Sequence, residues 1–93
     1  MTNSRMTQFS SAFAAVVKFH REKQNISKAA LAKKADLHQT YIGLLENCVR
    51  SPNLDTAAAI AQALGLSLSA FIAEVEQQIT KDDQLIRGGS GPV

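Results

Sequence analysis

Residues 27–47 read SKAALAKKADLHQTYIGLLEN, and this stretch decides the fold. Its apolar anchors are Leu31, Ala35, Leu37, Ile42 and Leu45, with Ala32 a small residue where two helices must cross closely. The helical spacing breaks at Ala35-Asp36-Leu37 and restarts in a new direction. Ser27 stands at an N-cap position, where its hydroxyl oxygen accepts a free amide of the first turn. The stretch therefore reads as two short amphipathic helices, over 28–34 and 39–47, joined by a three-residue corner.

Outward from this unit, the pattern predicts three more helices. Phe9, Phe13, Val16, Val17 and His20 recur at helical spacing and mark a first helix over 10–24. Arg50-Ser51-Pro52 forms a rigid link, after which Asn53 caps a fourth helix with an apolar face of Leu54, Ala57, Ile60, Ala61 and Leu64. Gly65 is placed to end that helix in the left-handed conformation. Ser67 caps a fifth helix running through Phe71 and Ile72 toward Ile79. The expected division is a flexible N-terminus over 1–8, one folded domain over 9–79 and a flexible tail over 80–93, ending in GGSGPV.

Composition narrows the function classes. Ninety-three residues with 45% hydrophobic content and no Trp allow a single small helical core. No apolar run approaches the roughly 18 residues of a membrane span, and the first residues lack the apolar core of a signal peptide. One cysteine, Cys48, cannot form an internal disulfide, which fits a reducing cytoplasm. The net charge is only +2, but it is unevenly spread. Residues 18–34 hold Lys18, Arg21, Lys23, Lys28, Lys33 and Lys34 against Glu22 alone, a balance of +5. From residue 35 onward, Arg50, Lys81 and Arg87 face seven acidic groups, a balance of −4. A positive field on the first half suits a phosphate-facing surface; a solvated lysine face is the plain alternative.

Two helices packed steeply around such a corner form a helix-turn-helix unit, whose second helix can enter the major groove of DNA. The first turn of that helix holds His38, Gln39 and Thr40, with Gly43, Leu44 and Asn47 further along the same face. Gln39 is the best candidate reader, because its amide pairs bidentately with adenine N6 and N7. Thr40 can bond a base or offer its methyl to thymine, Leu44 can touch a thymine methyl, and Gly43 lets the backbone approach closely. Ser27, Lys28, Asn47 and Arg50 are the candidate phosphate contacts, with helix N-terminal amides assisting. Tyr41 either donates to a phosphate or packs across its helix. Leu68, Ile72, Val75 and Ile79, spaced 4, 3 and 4, form an apolar seam that predicts a homodimer. Two half-sites about one helical turn apart, roughly 34–36 Å, would then make the DNA site palindromic.

From about residue 13 to 72 the chain resembles the Xre/Cro–phage repressor family of helix-turn-helix regulators. The matching pieces are Arg21, ISKAALAKKADL (26–37), YIGLLEN (41–47), Arg50-Ser51-Pro52-Asn53-Leu54 and IAQALGLSLSAFI (60–72). The resemblance implies an all-α, five-helix, lambda-repressor-like domain with the helix-turn-helix at helices 2 and 3. It implies a transcriptional repressor or activator that binds double-stranded DNA as a dimer. It also implies that Arg21 pairs with Glu46 to position the recognition helix, at a surface-pair contribution of about 0–1 kcal/mol.

Three positions depart from the family pattern. Where the family commonly has glycine, this chain has Asn25, Asp36 and Cys48; the first two tolerate a left-handed backbone, and Cys48 does not unless Asn47 takes that role. The glutamine common at the start of helix 2 is Lys28. No phosphate-cradling glycine loop, paired-carboxylate motif or nucleophile elbow is present, and His20 and His38 lack ligand-spaced partners. No enzyme, metal or cofactor is expected. The rival reading is a protein-interaction module of the same fold, an antitoxin or transcription-complex adaptor with a protein partner. Gly43 and Leu44 favour it, since neither bonds a base edge; the basic first half favours DNA.

Overall fold

The computed structural model describes the backbone of residues 4–88 and the side chains of residues 8–83. Five helices follow in order: α1 (Ser4–Lys23), α2 (Lys28–Ala35), α3 (Gln39–Glu46), α4 (Leu54–Ala63) and α5 (Leu68–Gly88). Three starts are capped as the sequence predicts. The Ala30 amide donates to Ser27 Oγ at 3.0 Å, the Thr56 amide to Asn53 Oδ1 at 2.8 Å and the Ala70 amide to Ser67 Oγ at 3.1 Å. His38, which opens α3, makes no side-chain cap, so the first turn of that helix is left without one.

The ends of α1 through α4 share one geometry. At each, a residue with positive φ donates its amide three residues back, and the next residue donates five residues back. The pairs are Asn25 to Glu22 and Ile26 to Arg21; Asp36 to Lys33 and Leu37 to Ala32; Cys48 to Leu45 and Val49 to Leu44; Gly65 to Gln62 and Leu66 to Ala61. The left-handed residues have φ of 61°, 60°, 61° and 86°, and only the last is glycine. Cys48 itself takes the strained conformation, while Asn47 stays at φ −95°. After the bend comes an apolar residue. Ile26, Leu37 and Leu66 pack against the core, but Val49 is 65% exposed.

The core joins all five helices. Phe13, Val17, Leu31, Ile42, Leu45, Ile60, Phe71 and Val75 are its largest fully buried side chains. The Phe13 and Phe71 rings meet edge to face at 5.3 Å, joining α1 to α5, a geometry aromatic pairs favour. Ala32 is buried between the helices of the central corner, as a close crossing requires. No single helix among the described residues is long and apolar enough to cross a membrane.

Four expectations are corrected. First, α1 begins at Ser4 and α5 runs past Ile79 to Gly88, so the segments expected as flexible ends at 1–8 and 80–93 are partly helical; residues 1–3 and 89–93 lie outside the described residues. Second, Val75 is fully buried in its own protomer and cannot belong to a dimer seam. It shares the inner face of α5 with Phe71, one turn away, whereas Leu68, Ile72 and Ile79 are only partly buried. Third, Leu54 is 71% exposed rather than part of the α4 apolar face. It is the first residue of α4, and side chains lean toward a helix N-terminus, so it projects past the core. Thr56 fills the buried place in that turn. Fourth, α3 closes at Glu46, and Asn47 is its C-cap.

Candidate nucleic-acid interface

Helix α3 is amphipathic over eight residues, and its two faces are sharply different. Ile42 and Leu45 are fully buried, which fixes the rotation of the helix about its axis. That rotation turns Gln39 and Thr40 outward as exposed residues. Gly43 and Leu44 lie half-buried beyond them. A Cβ added at Gly43 would meet nothing within 4 Å, so the missing side chain is not demanded by packing inside the protomer.

The helix is also locked from behind. Arg21 Nε donates to Glu46 Oε2 at 2.8 Å, and the second guanidinium nitrogen donates to Oε1 at 3.1 Å. The remaining terminal nitrogen donates to the Ile26 carbonyl at 3.0 Å. One arginine thus ties the end of α1, the approach to α2 and the end of α3. Its side chain is 12% exposed and that of Glu46 only 3%, so the pair is a buried fork rather than the surface contact expected. The hydrogen bonds that Arg21 donates to Glu46 raise its pKa above the ordinary value, against the opposing cost of burial.

The candidate phosphate-contacting residues flank α3 in sequence, at the start of α2 and in the segment after α3. Ser27 accepts the Ala30 amide as cap, which leaves its hydroxyl proton free to donate outward. Lys28 is half-buried at the first position of α2. Asn47 and Arg50 are exposed in the segment after α3. Tyr41 is half-buried and packs against the core, which favours packing over phosphate contact for its ring. Lys18, Lys23, Lys33 and Lys34 are exposed on α1 and α2.

Sequence reasoning missed three side-chain hydrogen bonds that hold this region. Ser10 and Ser51 bond hydroxyl to hydroxyl at 2.5 Å, joining α1 to the α3–α4 link. His20 Nε2 meets Glu74 Oε1 at 2.6 Å, joining α1 to α5. Gln24 Nε2 donates to the Leu64 carbonyl at 2.7 Å, satisfying the end of α4. Each spans 40 residues or more of sequence, and no local spacing announces such a pairing.

Comparison with known proteins agrees with this architecture. The immunity repressor protein of Bacillus phage phi105 is 32% identical over 68 residues, covering 73% of this chain and 46% of that protein. Control protein C.BamHI of Bacillus amyloliquefaciens is 43% identical over 44 residues, covering 47% of this chain and 54% of that protein. The chain thus spans about half the length of these two relatives. Among solved structures, the tetramer of the restriction-modification controller protein C.Esp1396I in complex with its natural 35 base-pair operator superimposes with a TM-score of 0.72 at 25% identity, covering 77% of this chain and 95% of that one. Residues 17–71 match the helix-turn-helix family, which is more than half of the sequence. The chain belongs to the Xre/Cro-type helix-turn-helix family.

Proposed function

We infer that this protein is a sequence-specific DNA-binding transcriptional regulator, acting as a homodimer on a short palindromic operator. The observation that carries the reading is the division of α3, with Gln39 and Thr40 exposed on a helix whose opposite face is locked by Ile42, Leu45 and the Arg21–Glu46 fork. An exposed glutamine at the start of a rigidly held helix is suited to read adenine in a major groove. Lys28, Ser27, Asn47 and Arg50 supply sequence-independent affinity to phosphates. Support also comes from the relatives, named as an immunity repressor and a control protein, and from the operator complex of C.Esp1396I. No observation singles out a protein partner in place of DNA.

Binding-site selection from random duplexes, run on wild type and Gln39→Ala together, tests this reading. Wild type should recover a two-fold symmetric motif. The variant should lose roughly 1–3 kcal/mol on that motif and relax one base per half-site, with non-specific binding nearly unchanged. Enrichment of no motif by wild type would refute the function. Equal stringency in the two proteins would remove Gln39 as a reader.

A further inference from the structure

We propose that Ser10, on α1 and outside the helix-turn-helix, is a positioning residue that fixes Arg50 for phosphate contact. The inference rests on the DNA-binding reading above. Residues 47–53 connect α3 to α4 without regular structure, and Arg50 lies in the middle of them. Ser10 is nearly buried, and two bonds converge on it from this link. Its hydroxyl meets the Ser51 hydroxyl at 2.5 Å, and its carbonyl receives the Cys48 thiol at 3.8 Å. Cys48 and Ser51 bracket Val49 and Arg50, so the link is pinned to α1 on both sides of the exposed cation.

This tie replaces another one. At the other three helix ends of the same geometry, the apolar residue after the bend packs against the core and holds the turn. Val49 occupies that place here and is 65% exposed, so it provides little such anchoring. Within the link the Val49 amide closes the turn onto the Leu44 carbonyl at 2.8 Å and the Arg50 amide reaches the same carbonyl at 3.3 Å, so the bonds through Ser10 are the ones that tie this turn to α1. Fixing the backbone on both sides of Arg50 reduces the ordering that phosphate contact would otherwise require. Arg50 makes no ion pair among the described residues, so its charge is available to a phosphate.

The test uses the full chain and a labelled random-sequence duplex of about 30 base pairs, long enough for two half-sites. Binding is titrated over a series of salt concentrations for Ser10→Ala, Ser51→Ala, Ser51→Val, Ser51→Thr, Arg50→Ala and the Arg50→Ala/Ser51→Ala double variant. Ser51 is exposed, so its variants should remain folded, with at most a modest fall in thermal midpoint from the unpaired Ser10 hydroxyl, and carry the test even if Ser10→Ala fails to fold. Ser51→Ala and Ser51→Val should weaken binding roughly threefold to tenfold, the scale of ordering one long side chain. Ser51→Thr, which keeps the hydroxyl, should return to within about twofold of wild type. Arg50→Ala should lower the salt slope by roughly one unit, and adding Ser51→Ala to it should change little further. Wild-type affinity in Ser51→Val, or full additivity of the Arg50 and Ser51 effects, would overturn the positioning role while leaving DNA binding intact. Failure of wild type to bind any duplex would remove both readings together.

Discussion

Breaking the fork between Arg21 and Glu46 should destabilise the domain far more than a surface ion pair would. Glu46 is 3% exposed and accepts two bonds from one guanidinium, so Arg21→Ala leaves a carboxylate with almost no access to water. Removing one partner of a buried pair typically costs about 3–5 kcal/mol. Arg21→Ala belongs at the upper part of that range, because it also orphans the Ile26 carbonyl. Glu46→Ala belongs at or below the lower end, since the 12% exposed guanidinium keeps that carbonyl and some contact with water. For a 93-residue domain with a total stability of about 5–14 kcal/mol, either loss is a large fraction. Urea denaturation of wild type, both single variants and the double variant gives the coupling directly. We expect a coupling of about 2 kcal/mol, insensitive to 1 M salt because a buried pair is poorly screened. The raised Arg21 pKa keeps this contribution complete below the ordinary guanidinium range, and it is lost only as pH rises through the higher folded value. A cost below about 1 kcal/mol for Arg21→Ala, or coupling within about 0.5 kcal/mol of zero, would refute the argument.

Three further outcomes are expected. Cys48→Gly should stabilise the domain by up to about 1 kcal/mol, because relief of a left-handed cysteine, about 1–2 kcal/mol, exceeds the added chain entropy of glycine together with the loss of the weak thiol bond to Ser10. Asn25→Gly and Asp36→Gly should gain less, since those residues tolerate that region; thermal melts of the three variants give the ranking, and an equal gain at all three sites would contradict it. Gly43→Ala should raise helix stability by about 0.5–1 kcal/mol yet weaken DNA binding, and a rise in both would show that close backbone approach is not used. Ile72→Glu with Ile79→Glu should give a folded monomer in sedimentation velocity, whereas persistence of a dimer would place the interface elsewhere.

The central corner was legible from sequence because its signals are local. Ser27 precedes a helix it caps, and Ile42 and Leu45 share a face whose rotation exposes Gln39 and Thr40. The family resemblance also anticipated the Arg21–Glu46 pair, though not its burial, which depends on how α1, α2 and α3 close around it. Val75 was misassigned because a 4-3-4 apolar spacing marks an inner face as readily as an outer one. Phe71 and the position of α1 decide between them. The Ser10–Ser51 and His20–Glu74 bonds were invisible for a simpler reason: single polar side chains carry no periodic signal of their distant partners.

The exposed Val49 makes the four helix ends unequal in how readily they open. At three of them, separation of the turn must first withdraw an apolar side chain from the core, which couples that local event to loss of the whole fold. At the fourth, the turn can part by breaking hydrogen bonds alone, with the five-helix core undisturbed. The amide protons of Cys48 and Val49 should therefore exchange with solvent through a smaller, more frequent fluctuation than those of Ile26, Leu37 or Leu66. Each such opening also releases the bonds that Cys48 and Ser51 make to Ser10, so Arg50 holds its fixed position only while the turn is closed, beside a reading helix that Arg21 keeps in register throughout.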